Sequence, residues 1–252
     1  MLPSSSRSVI SVKPAFRINL GNTRCPFARR YERVLTAVLR GWHERATCAA
    51  SGTVPPSVSA TKVTTLHQPP KYGWQLRVEL LEVTPKVWRR LLLPSTIRLP
   101  ALHRVLQAAM GWTDSHLHEF VIAGQRYSTP DPDWADELKQ RDERRIVLEK
   151  ALGYEARCFD YLYDFGDSWH HVVILEEHAP LKSDALIYCT DGANACPPEN
   201  VGGAPGYAEF LAGIADPHHE EHENLLTWVG GSFDPHQFSR DAVNVALAKV
   251  RT

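Results

Sequence analysis

The sequence predicts an α+β domain behind a basic N-terminal extension, with a helical C-terminal third. Three observations carry this. Apolar and polar residues alternate with period two over Tyr72–Leu93 and break at Thr84-Pro85, the pattern of a β-hairpin. The same alternation recurs on both sides of Asp164-Phe-Gly-Asp167. Residues 99–110, 206–214 and those after Ser239 instead repeat their apolar positions at helical spacing.

At 252 residues, 43% hydrophobic and 23% charged, the chain can bury one substantial core. Its net charge of −1 conceals an asymmetry. Residues 1–70 hold ten Lys and Arg against two Asp and Glu, which leaves 18 basic and 27 acidic residues in the remainder. An acidic body lacks the basic stripe needed to grip duplex phosphate, so direct DNA binding by the folded domain is not expected. Five cysteines, an odd and sparse set, argue against a disulfide framework. No run of eighteen apolar residues and no secretory start are present, so we expect a cytoplasmic protein without a membrane partner.

Residues 1–70 are rich in Ser, Arg, Thr, Pro and Val, and only Tyr31–Arg45 has helical spacing, through Val34, Leu35, Val38, Leu39 and Trp42. Such a segment suits an organellar transit peptide, an arm that touches nucleic acid, or a leader read from a start codon placed too far upstream. Because it offers no packed core, we treat 1–70 as a disordered or untranslated extension and 71–252 as the folded domain.

In the body, Trp74, Leu76, Val78 and Leu80 form the buried face of a first strand, and Val87–Leu93 reads as its hairpin partner. Leu99, Leu102, Val105, Leu106 and Ala109 line one side of a helix that Pro100 opens and Gly111 stops. His103 flanks that stripe and reads as a partly buried structural histidine. A turn then leads into a third strand on which His116, His118 and Phe120 share a face, a spacing at which two imidazoles can reach one metal. The segment Tyr127–Lys150, with its charge run Asp136–Arg145, reads as a solvated loop or short surface helix.

The stretch Tyr161–His171 is the densest in chemistry. Phe159, Tyr161 and Tyr163 alternate into a turn whose Gly166 can take positive φ, and Trp169, His171, Val173 and Leu175 alternate out of it. Turn chemistry alone accounts for Asp164 and Asp167, whereas a cation or proton site would use them with a histidine. His170 and His171 must point to opposite faces. Ile187–Tyr207, dense in Gly and Pro, reads as an irregular loop holding Glu199 and bracketed by Cys189 and Cys196. Thiols seven positions apart do not have the spacing of a zinc knuckle, and reduced, partly buried thiols explain them more simply. Helices follow: Tyr207, Phe210, Leu211 and Ile214 on one, the run His218–Glu223 on a second whose His218 and His222 stand four apart, and a last one capped by Ser239.

The ordered runs Pro85-Lys-Val-Trp-Arg-Arg90, Gln107-Ala-Ala-Met-Gly-Trp112, His116-Leu-His-Glu-Phe120, Tyr163-Asp-Phe-Gly-Asp-Ser-Trp169, Cys196-Pro-Pro-Glu-Asn-Val-Gly-Gly203 and Gly206-Tyr207 resemble the plasmid pRiA4b ORF-3-like family, from about Tyr72 to Val250. The resemblance implies an α+β domain with a mixed, mostly antiparallel sheet, found on plasmids, mobile elements and bacterial chromosomes, without a settled activity. A resolvase label attaches to some members, but no activated serine among arginines and no DNA-binding module is visible here. Asn200 stands where the family usually has Asp, and Val201 where some members have Cys, which weakens any metal site built on those groups.

Three functions follow, ranked in order. The first is a non-catalytic accessory module that binds a protein or small-molecule ligand, with a candidate pocket of His116, His118, Tyr163, Asp164, Asp167, Trp169, His171 and Glu199 and an aromatic groove of Trp88, Trp112, Tyr161, Tyr163, Trp169 and Tyr207. The second is a metal-assisted hydrolase in which a divalent metal sits on His116, His118, Asp167 and His171, with Glu199 as base and Cys189 and Cys196 as further candidate ligands. The third is nucleic-acid binding through the basic extension.

Overall fold

The computed structural model describes residues 71–130, 140–154, 156–181 and 187–251. The expectations for residues 1–70 fall outside them. The body is built on one eight-stranded sheet in the order β5-β4-β3-β6-β7-β1-β2-β8. Its strands are β1 (Lys71–Leu80), β2 (Trp88–Pro94), β3 (His118–Ile122), β4 (Gln125–Ser128), β5 (Arg141–Asp142), β6 (Cys158–Tyr163), β7 (Trp169–Leu181) and β8 (Tyr188–Ala193). Every pairing is antiparallel except β4 with β5, so the sheet is mixed. Among the described residues five helices accompany it: α1 (Leu99–Met110), α2 (Leu148–Leu152), α3 (Gly203–Ala215), α4 (His222–Val229) and α5 (Arg240–Leu247). This is an α+β fold. The C-terminal third opens with strands, β7 and β8, and turns helical only from Gly203. Among the described residues no helix is long and apolar enough to cross a membrane.

The alternation in β1 puts Leu76, Val78 and Leu80 on the helix-covered face, where α1 adds Leu99, Leu102, Val105 and Leu106, all buried. The predicted ends of α1 hold: Pro100 lies in its first turn, and Gly111, at φ 94°, returns its N–H to the Gln107 carbonyl. Ser239 caps α5 by accepting from the Ala242 N–H. The opposite face of the sheet carries a smaller cluster, Leu81, Val172 and Ile174. His171 is fully buried on the core face. His170, across the strand, lies near Asp160 at 3.4 Å.

Four local expectations are corrected. At the β6–β7 turn, Asp164 and Ser168 take the positive φ, at 57° and 54°, and Gly166 does not. The Asp164 carboxylate accepts the Gly166 N–H at 2.9 Å, an Asx turn that supplies the reversal by hydrogen bonding. Within the expected loop 187–207, Tyr188–Ala193 is a strand, because the outer edge of β2 offers it a ladder. Gly192 is needed there for packing: a Cβ would stand 2.6 Å from the Phe238 ring. His116 precedes β3, so His116 and His118 do not share a strand face. His218 precedes α4, so His218 and His222 do not share a helix face; the His222 ring nitrogen Nδ1 meets the Gly213 carbonyl instead.

Candidate functional site

The tip of the β6–β7 hairpin is drawn against two other segments. The Asp164 N–H donates to the Leu117 carbonyl at 2.9 Å, which brings the residues before β3 alongside. The loop after β8 is clamped from the other side. Trp112 Nε1 donates to the Pro197 carbonyl, the Thr113 N–H and hydroxyl donate to Glu199 at 2.7 and 3.1 Å, and Asp167 accepts the Gly202 N–H at 3.1 Å. Gly203 sits so close to the hairpin that a Cβ would stand 2.4 Å from the Asp167 carbonyl oxygen.

These clamps bring His116, Tyr163, Asp164 and Glu199 together. The Asp164 Oδ1 is spent on the Asx turn, and its Oδ2 faces His116 Nε2 at 3.5 Å. Glu199 Oε2 faces the same nitrogen at 3.6 Å. Tyr163 donates its hydroxyl to Glu199 and accepts from the Ser115 N–H. Burial, with the Glu199 carboxylate beside it, pushes the Tyr163 phenol up to about 12, which keeps it a donor. The side chains of His116, Asp164 and Glu199 are 28%, 11% and 19% exposed, so a solvent-borne group can approach. Yet His116 Nε2 itself is sealed and has no hydrogen-bond partner. One imidazole thus stands between two carboxylates, with a net charge of −2 when neutral and −1 when protonated. It can hold a proton or a cationic group.

The other sequence-predicted residues lie elsewhere. His118 stacks on His103, with ring centroids 3.5 Å apart and planes 5° from parallel, and its Nε2 bonds both oxygens of Glu143. Burial, and then His118, push His103 down to about 4. The neutral ring donates from Nε2 to Asp114 and accepts at Nδ1 from Tyr161, whose oxygen also accepts from Gln107. Burial likewise pushes His171 down to about 3. Its Nδ1–H donates to the Trp169 and Tyr161 carbonyls, and its Nε2 has no partner.

The ligand set His116, His118, Asp167 and His171 is therefore divided by the fold into three environments. Among the described residues no group of three or more His, Cys, Asp or Glu is arranged to hold a metal ion. The thiol of Cys189 donates to the Asp191 carbonyl. Desolvation raises the pKa of Cys189 and of Cys196, which keeps both as thiols, not thiolates. The aromatic groove is not formed either. Trp112, Tyr161, Tyr163, Trp169 and Tyr207 are buried in the core, and Trp88 lies under the Arg77 guanidinium. Sequence reasoning passed over Glu143, which is 1% exposed inside a charge run that reads as solvated. It also missed Thr113, whose partner Glu199 is 86 residues away, and Asp114, which folds back onto His103 and Gln107 of the preceding helix.

The chain matches the plasmid pRiA4b ORF-3-like proteins over residues 73–242. It belongs to that family. An uncharacterized protein of Sinorhizobium fredii (strain NBRC 101917 / NGR234), y4hQ, is 45% identical over 159 residues, which are 63% of this chain and 81% of that protein. The crystal structure of a protein of unknown function from Methanosarcina mazei Go1, MM3350, superposes with a TM-score of 0.61 at 33% identity, covering 68% of this chain and 97% of the other. Neither relative carries an assigned activity.

Proposed function

We propose that this family member is a non-catalytic accessory module of plasmids and mobile elements, and that its contact point is the His116, Asp164 and Glu199 cluster. The occupant is a cationic group, an amine or guanidinium carried by a protein or small-molecule partner. The observation that supports this reading is the sealed, unpartnered His116 Nε2 facing two carboxylate oxygens at 3.5 and 3.6 Å. Two largely buried carboxylates, each with an edge open to solvent and held rigidly by Thr113, Tyr163 and the Asx turn, attract a cation without reorganising. The rigid backing also fits a recognition site better than a mobile catalytic loop.

Methylguanidine and methylamine are suitable probes. Titrated into the full chain, either should shift the His116 ring signals in a saturable, salt-sensitive way. Asp164→Asn combined with Glu199→Gln should weaken that binding by about tenfold or more, the loss expected when charge-assisted hydrogen bonds go. Unshifted His116 signals would refute the reading. So would stoichiometric zinc or manganese in the purified protein that is lost in His116→Ala, which would favour the metal-assisted hydrolase.

A further inference from the structure

Three arginines, Arg98, Arg104 and Arg144, line a recess of about 410 Å³ where the chain enters α1. Thr96, Ile97 and Pro100 form much of the remaining wall. The concentration is unexpected in a body whose acidic residues outnumber its basic ones. One carboxylate serves the group: Asp142 takes Arg144 in a forked pair, with both oxygens 2.9 Å from Nε and Oδ2 2.7 Å from Nη2. Among the described residues, Arg98 and Arg104 have no carboxylate within ion-pair distance. Arginine does not shed its proton, so two positive charges around this hollow have no acidic partner among the described residues.

The walls are set in advance. The Leu99 N–H donates to the Ile146 carbonyl and the Leu148 N–H to the Ile97 carbonyl, both at 2.9 Å, which ties the entry of α1 to that of α2. Arg104 is steadied by the Arg251 carbonyl, at 3.0 Å from Nη2, and Arg144 by its fork with Asp142. The start of α1 supplies no free donors of its own. Leu99 is spent on Ile146, Pro100 has no N–H, and Ala101 and Leu102 donate to the Arg98 carbonyl. Attraction for an anion must therefore come from the side chains. Two guanidiniums without an acidic partner among the described residues match a dianion better than a single carboxylate, and guanidinium forks fit phosphate oxygens. The volume lies within the range of small-molecule sites and exceeds what a bare phosphate fills. Ile97 and Pro100 leave an apolar wall for the rest of the ligand.

We propose that this recess binds a small molecule that joins a phosphate dianion to an apolar or aromatic body. It shares no residue with the His116 cluster, so the two assignments stand or fall separately.

Calorimetric titration of the full chain with phenyl phosphate, inorganic phosphate and phenol tests it. Phenyl phosphate should bind one to one and about tenfold or more tighter than either fragment. Arg98→Ala with Arg104→Ala should weaken it by about tenfold or more, whereas Arg157→Ala, an exposed arginine outside the recess, should not. No saturable binding of phenyl phosphate, equal affinity for phenol, or equal weakening by Arg157→Ala would overturn the assignment. Should the double variant fail to fold, the Arg98 and Arg104 side-chain NMR signals of the unaltered chain decide. Shifts there on adding phenyl phosphate support the site, and shifts confined elsewhere overturn it.

Discussion

His171 shows how far a single residue's environment sets its chemistry. Its ring is fully buried beside the Trp112 indole, and the folded chain resists its protonation until about pH 3, against an ordinary value of 6.5. Above pH 6.5 the folded and unfolded chains both hold the ring neutral, and it contributes no pH dependence. As pH falls below 6.5 the unfolded chain takes up a proton that the folded chain refuses. Stability then declines by about 1.4 kcal/mol per unit down to the folded pKa. His103, pushed down to about 4, adds to the same slope over a shorter window. His171→Gln should flatten the fall of the urea midpoint between pH 6.5 and 4 relative to the unaltered chain. An unchanged slope would mean the ring is not the titrating group. Tyr161 makes a second residue-scale case, since its hydroxyl serves both His103 and Gln107 in the core. Tyr161→Phe strands two buried polar atoms and should cost about 1–3 kcal/mol, read as a lowered denaturation midpoint.

At the scale of elements, the hairpin tip and the loop after β8 are held by contact, not by propensity. Gly203 and Gly124 both sit at positive φ, 68° and 79°, but only Gly203 has a neighbour that a Cβ would strike. Alanine at either position incurs the backbone strain of about 1 kcal/mol, and Gly203→Ala adds the collision with the Asp167 carbonyl. Gly203→Ala should therefore lower the melting temperature clearly more than Gly124→Ala. Equal losses would show that the loop can shift away from the hairpin at little cost. This clamp also accounts for what was and was not legible beforehand. The α1 stripe, the Gly111 stop and the Ser239 cap were readable because each is settled within a few residues. The strand β8 was not, because its Asp191 and Gly192 oppose a strand and only the free edge of β2 overrides them.

For the whole molecule, the decisive pairing is β1 with β7, which joins Leu80 to His171 and Lys71 to Leu181 at the middle of the sheet. The first described strand thus has no complete neighbourhood until the chain has passed the central hairpin. Such long-range pairing makes folding cooperative and slower than in a helical bundle. Chemical denaturation followed by far-UV circular dichroism and by tryptophan fluorescence should give coincident curves for this body. Two separated transitions would reveal α3–α5 as an independent unit.

The histidine cluster divides along the same line. Residue types and local periodicity were enough to select His116, Asp164 and Glu199 as candidates and to place His170 and His171 on opposite faces, since side-chain direction on a strand follows from neighbours two positions away. Which acid meets which imidazole was settled only by folding. Thr113 and Glu199 are 86 residues apart, and His118 meets Glu143 across 25. No pattern in a linear chain encodes such meetings, because they depend on the sheet order that sets segments side by side and on the core that forces each polar atom to find a partner there.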